Sequence, residues 1–110
     1  MANTMNTIDN ICAEVLNMLH GVKKGEYGDP LTMHAHIGEL WDEDIPYTDN
    51  SVEHDFLLAR AVAVKMAKLK IARLDYDMTK EDSYKDAVAY LLFACAFNRR
   101  LNEFYKEVSE

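Results

Sequence analysis

The sequence predicts an all-α fold, a small four-helix, bundle-like domain in which the third and fourth helices form a long antiparallel hairpin. Apolar residues recur at three- and four-residue steps along most of the chain, which is typical of amphipathic helices. No segment shows a sustained alternation of apolar and polar residues, so we expect no sheet. A chain of 110 residues is the size of one domain, so we expect a single domain over residues 1–110, with residues 1–6 as a flexible N-terminus.

The first two helices are predicted from periodicity and from their end signals. The first is expected over residues 7–24. The second is expected to begin at Asp29 and Pro30, because aspartate caps helix N-termini and proline tolerates the first helical position. It should end before Pro46, since the residue preceding a proline avoids helical angles. Its predicted buried stripe consists of Ile37, Leu40 and Trp41.

The third helix is expected over residues 51–75, capped by Asn50 or Ser51, and the fourth over residues 80–108 with a bend near Asn98. Apolar residues cover most of the third helix's circumference, which indicates a central helix packed on several sides. The short turn that follows predicts an antiparallel hairpin with the fourth helix.

The composition excludes several classes of function. A net charge of −7 argues against broad nucleic-acid binding, which needs a basic surface. No apolar run reaches the ~18 residues of a membrane span, and no signal peptide is indicated. Cys12 and Cys95 have no paired spacing, so we interpret them as reduced core thiols of a cytoplasmic protein. The high apolar content of so small a chain favours a homo-oligomer.

One group of polar residues stands out on helical wheels. Lys70 and Arg73 fall inside the apolar arc of the third helix, where a cation needs a partner. Counting back from the turn places Arg73 level with Asp82, and Lys70 level with Asp86. One stripe of the fourth helix, with Ser83 beside it, contains Asp82, Asp86, Tyr90, Phe93 and Phe97.

This group has two interpretations. It could be a salt-bridge network that locks the hairpin, because cations suit the end of one helix and carboxylates the start of the next. Alternatively it is a ligand site, with Lys70 and Arg73 for phosphate and the aromatic rings for stacking. Tyr27 stands beside the predicted start of the second helix, where it could cover a bound phosphate or base.

Several short motifs occur in a fixed order: Glu26-Tyr27-Gly28-Asp29-Pro30, Ile37, Leu40-Trp41, Lys70-Ile71-Ala72-Arg73-Leu74, Glu81-Asp82-Ser83, Asp86 and Tyr90. As a set they resemble a family of short bacteriophage and prophage proteins, similar to phage nucleotide-modification-associated domains. The resemblance implies a phage origin, a location in the cytoplasm of the infected bacterium and a link to nucleotides. It also implies that Tyr27 and Asp29 approach the polar group, with Trp41 as a wall or core anchor. Met33 departs from the family, which usually has asparagine there.

The residues and the resemblance are consistent with three functions. The first is a non-catalytic nucleotide or cyclic-nucleotide binder without a cofactor, which sequesters a host defence signal or handles modified nucleotides. The second is a Mg²⁺-dependent pyrophosphatase like the all-α MazG group, with Asp82 and Asp86 as metal ligands. For that alternative, Glu39 and Glu43 are an imperfect first acidic pair, and Ser83 stands where an acid is expected in the second. The third is a structural helical interaction module.

Overall fold

The computed structural model describes residues 3–20 and 29–109. These ranges contain the helices α1 (Thr4–His20), α2 (Pro30–Leu40), α3 (Ser51–Leu74) and α4 (Glu81–Ser109), and no strand. The all-α prediction is confirmed, including the hairpin of the two longest helices. None of the described helices combines the length and the apolar content that crossing a bilayer requires.

Side-chain contacts join α3 and α4 at two levels of the hairpin. Near its middle, Arg60 donates a hydrogen bond to Asn98 at 2.8 Å. Near the connecting turn, Lys70 and Asp86 form an ion pair at 3.2 Å. The turn is closed by Asp77, whose carboxylate accepts hydrogen bonds from the hydroxyl and the backbone N–H of Thr79. Helix α4 continues without interruption through Asn98, where the sequence predicted a bend.

The core lies between α3 and α4. Small side chains such as Ala59 and Ala63, both fully buried, allow the two helix backbones to approach closely. Larger side chains fill the space on either side of these alanines, since protein interiors are close-packed. The buried cluster consists of Phe56, Leu57, Ala59, Ala63, Ala94, Phe97 and Leu101.

Helix α2 begins as predicted, with Asp29 as N-cap and Pro30 in the first turn. It ends at Leu40, several residues before Pro46, because Asp42 adopts a left-handed φ of 49°. The N–H of Asp42 bonds the carbonyl of Glu39, and the N–H of Glu43 bonds that of Gly38. This is the Schellman arrangement, which terminates a helix by satisfying its last carbonyls.

Helix α1 begins at Thr4, three residues before the start at residue 7 that the sequence predicted. The side chain of Asn3 accepts a hydrogen bond from the N–H of Asn6 at 2.8 Å, which caps the helix three residues earlier than expected. The predicted end of this helix at residue 24 lies outside the described residues. Lys85 ties α1 to α4 through Glu14, at 3.0 Å.

Two expectations about burial are wrong. Leu40 and Trp41, placed in the buried stripe of the second helix, are 68% and 50% exposed, because the helix has ended and the chain turns away. Cys12 and Cys95 are free thiols, and both are exposed rather than in the core. Each lies beside the buried stripe of its helix, where one step of 100° moves a side chain from core to surface.

Candidate functional site

The pair of Lys70 and Asp86 is the centre of the predicted polar group, and the structure brings the two residues together. Their side chains are 16% and 30% exposed, so the contact is sheltered but reachable from solvent. The register argument for this pair is therefore confirmed. Tyr90 lies one helical turn beyond Asp86 on α4 and is half-buried.

A cluster of aromatic rings adjoins this pair on the α4 stripe. Phe93 and Phe97 stack with their centroids 6.2 Å apart. His34 of α2 packs against both, at 5.2 and 5.4 Å, and meets the ring of Tyr90 edge-on at 6.1 Å. The imidazole thus connects α2 to the inner face of α4. These contacts lie between the Lys70–Asp86 pair and the hydrophobic core.

His34 is buried, at 7% exposure, and its protonation is determined by its surroundings. Its Nδ1 lies 2.7 Å from the carbonyl oxygen of Pro30, and a carbonyl can only accept, so Nδ1 carries the proton. Burial lowers the pKa of the ring, and the hydrogen bond to Pro30 opposes this only in part. The ring is therefore neutral at pH 7, as its apolar neighbours require.

The second predicted pair does not form. Arg73 and Asp82 are both exposed, and no ion pair joins them in the part of the chain that the structure describes. The placement of Arg73 inside a buried arc is wrong, because α3 extends beyond the core near its C-terminus and loses its covering helix. Ser83, in contrast, is buried beside the stripe of Asp86 and Tyr90.

The three remaining predicted residues have separate positions. The carboxylate of Asp29 is engaged in capping α2, where it accepts hydrogen bonds from the N–H and the hydroxyl of Thr32. Trp41 follows the other end of α2, about 18 Å from Asp29 along the chain. Its side chain is 50% exposed, so it is not the core anchor that the family resemblance implied, and its role as a wall of the site stays a prediction. Tyr27 lies outside the described residues.

The acidic residues of the pyrophosphatase alternative are held apart. Glu39 contacts His54 at 2.8 Å, and the largely buried carboxylate of Glu43 contacts Lys65 at 2.6 Å. Lys65 and Lys70 are five residues and so about 140° apart around α3. Glu43 and Asp86 therefore approach different sides of that helix. Within residues 3–20 and 29–109, no three histidine, cysteine or acidic side chains are grouped for a metal ion.

An open groove of about 380 Å³ lies on another side of α3, below the segment that follows α2. None of the predicted ligand residues that the structure describes lines it. Cations and apolar side chains of α3 form one wall, and residues 43–46 form the other. The lining consists of Glu43, Asp44, Ile45, Pro46, Leu57, Arg60, Ala61, Val64, Lys65 and Lys68.

His34 is the one member of the site that the sequence reasoning missed. His34 and His36 are two residues apart and point to different sides of a helix, so neither stands out as a metal ligand. The informative signal was spacing: His34 follows Leu31 by three residues and precedes Gly38 by four, and both of these pack toward α3 or its core. A histidine at those steps belongs to the buried face of its helix.

Comparison with known proteins identifies a family for this chain, but that family has no assigned activity. No curated protein matches the chain significantly. No solved structure matches it significantly either. The model of a domain of unknown function, DUF6378, matches residues 10–99, which include the candidate site. The match covers well over half of the sequence, and the chain therefore belongs to the DUF6378 family.

Proposed function

We propose that this protein binds a nucleotide, through the end of the α3–α4 hairpin that carries Lys70 and Asp86. The observation that supports this most is the sheltered Lys70–Asp86 pair beside the Tyr90 ring. A lysine paired with a carboxylate can exchange that partner for a phosphate oxygen, because both acceptors form charge-assisted hydrogen bonds with an ammonium group. The released carboxylate of Asp86 can then accept hydrogen bonds from ribose or base.

Neighbouring residues supply the other contacts that a nucleotide needs. Arg73 lies one turn beyond Lys70 and is exposed, so its guanidinium can fold onto a phosphate without losing an ion pair to any residue that the structure describes. The half-buried ring of Tyr90 offers an edge or face for a base.

The biological role follows from the resemblance to phage proteins. A phage that must overcome a nucleotide-dependent defence gains from a small protein that removes the signal by binding it. A protein that handles modified nucleotides would need the same contacts. In either role the protein binds the nucleotide without converting it, in the cytoplasm of the infected bacterium.

The test is one incubation with a panel of nucleotides, including cyclic nucleotides, ADP-ribose derivatives and deoxynucleoside triphosphates, in the presence of Mg²⁺. The free pool is chromatographed before and after the protein is denatured by heat. A nucleotide that disappears and returns intact supports the proposal. A new product before heating would contradict it and support the pyrophosphatase alternative, while an unchanged pool would leave the pair as a structural lock.

Matched lysine variants then locate the site. We expect Lys70→Met to weaken the binding of the captured nucleotide at least tenfold, since one charge-assisted contact contributes about 1.5–3 kcal/mol. Lys68→Met removes the same charge from the same helix, about 160° around it, and should leave the affinity unchanged. Equal losses in the two variants would show a general electrostatic effect and contradict this site. Isothermal titration calorimetry measures both.

A further inference from the structure

The outer side of α4, away from α3, carries an uncovered apolar stripe. Four large side chains of the stripe are each between 43% and 47% exposed, and the thiol of Cys95 is exposed among them. Their spacing confines them to about 100° of the helix surface, over three turns. We call this the α4 outer stripe; it consists of Tyr84, Val88, Leu91, Leu92 and Cys95.

The chain also exposes more surface than a compact monomer of its mass. Its accessible surface is 8024 Å², whereas a folded monomer of 12.6 kDa exposes about 6,200 Å². Its radius of gyration is 16.0 Å, against about 13 Å for a compact chain of this length. The excess is about twice the ~800 Å² that each partner loses in an interface of standard size.

We propose that the α4 outer stripe is the interface of a homodimer, in which α4 packs antiparallel against α4 of a second copy. The stripe is complementary to itself in that direction, as a two-fold interface requires. When Leu91 faces Leu92 of the second copy, Val88 faces its Cys95, and Tyr84 faces its Arg99. Apolar side chains then meet apolar side chains along the centre, with polar groups at the two ends.

Charges beside the stripe select the antiparallel direction. Glu81 and Arg99 are 18 residues apart, which is five helical turns, so both lie at the same angle of α4, one beyond each end of the stripe. Glu81 also forms an ion pair with Lys85 of its own helix at 3.0 Å. In the antiparallel dimer, Arg99 lies near Glu81 of the second copy, and this occurs twice. In a parallel dimer, Glu81 would face Glu81 of the second copy and Arg99 would face its Arg99, and these like charges would repel each other.

The first test is the oligomeric state by light scattering across a concentration series. We expect a mass twice 12.6 kDa for the wild type and 12.6 kDa for Leu91→Glu. The matched control is Leu69→Glu on α3, since Leu69 and Leu91 are both 47% exposed. Circular dichroism establishes that each variant is folded. A wild type that stays monomeric, or a control that dissociates equally, would overturn the proposal and leave the stripe to another partner.

Two further variants test the register without depending on a new charge in the stripe. Val88→Cys in a Cys12→Ser background should form a disulfide-linked dimer on mild oxidation, through Cys95 of the second copy. Leu69→Cys in the same background should not. Arg99→Glu should weaken the dimer about fivefold, because the interface contains two such exposed charge contacts. Efficient cross-linking of the Leu69→Cys variant, or no weakening by Arg99→Glu, would contradict this antiparallel arrangement.

Discussion

Lys70 and Asp86 join α3 to α4 at 3.2 Å, and the contact is sheltered by the side chains around it. Arg73 and Asp82 are only one turn nearer the connecting loop and remain apart in solvent. At the level of Asp82 the core still reaches Ser83, which is buried, but Arg73 and Asp82 lie outside it. The pair is therefore the point where the hairpin's core meets its polar end, and it can act both in stability and in ligand binding.

A double-mutant cycle can measure how much the Lys70–Asp86 pair contributes to the stability of the fold. We expect Lys70→Met and Asp86→Asn each to lower the free energy of unfolding by about 1–2 kcal/mol, since each leaves a partly buried charge or polar group without its partner. The double variant should lose less than the sum, with a coupling of about 0.5–1 kcal/mol. Urea unfolding provides the three differences. Strict additivity would mean that the observed contact contributes nothing to stability.

Gly38 permits the close packing of α2 on α3. A methyl group at this position would come within 3.0 Å of Cδ2 of Leu58 and 3.3 Å of Cγ2 of Val62. Alanine gains about 1 kcal/mol of helix propensity, but overpacking costs about 1–3 kcal/mol. We therefore expect Gly38→Ala to destabilise the protein by about 1 kcal/mol. His36→Ala, at an exposed position of the same helix, should not; a stabilised Gly38→Ala would show that α2 can move away without cost.

Much of the fold could be predicted from local sequence signals. Asp29 and Asn50 cap their helices as expected, because a cap depends on a few adjacent residues. The register of Lys70 and Asp86 followed from a short turn and the rise of two helices. Burial was harder to predict: Cys12, Cys95, Trp41 and Arg73 are all more exposed than expected. Their burial depends on which side of the helix a neighbouring helix covers and where that neighbour ends, and a single helical wheel does not contain that information.

The same limit explains why His34 was missed. Its environment is formed by three rings of α4 that lie more than 50 residues away in sequence. Periodicity places His34 on a buried face, but only the packing of α2 against α4 shows that the face is aromatic. The site therefore depends on tertiary structure. The sequence predicts the α3–α4 hairpin that forms one part of it, but not the packing of α2 that forms the other.

Asp42 holds a strained backbone angle that glycine would adopt freely. Its φ of 49° lies in the left-handed region, and it occupies the position after the α2 C-cap where glycine is preferred. We expect Asp42→Gly to raise the free energy of unfolding by about 0.5–1 kcal/mol, and Asp42→Val to lower it by at least as much. Thermal unfolding measures both. Equal stabilities would mean that the Schellman turn gives way when the residue changes.

The buried imidazole of His34 should make stability depend on pH. Burial among three rings lowers its pKa in the folded protein below the value near 6.5 that it has when unfolded. Between these two pKa values the unfolded state binds the proton and the folded state does not, so the free energy of unfolding falls as the pH falls. The loss begins near pH 6.5, grows by at most about 1.4 kcal/mol per pH unit, and levels off once the folded ring is protonated.

Urea unfolding at intervals from pH 7.5 to 5.5 measures this dependence above the range in which most carboxylates titrate. The variant His34→Gln should lose the part of the slope that belongs to the buried ring. The variant His36→Gln removes an exposed histidine two residues away on α2 and should retain it. If His34→Gln kept the full wild-type slope, another group would control the pH dependence, and the imidazole would not be held neutral by the rings of Tyr90, Phe93 and Phe97.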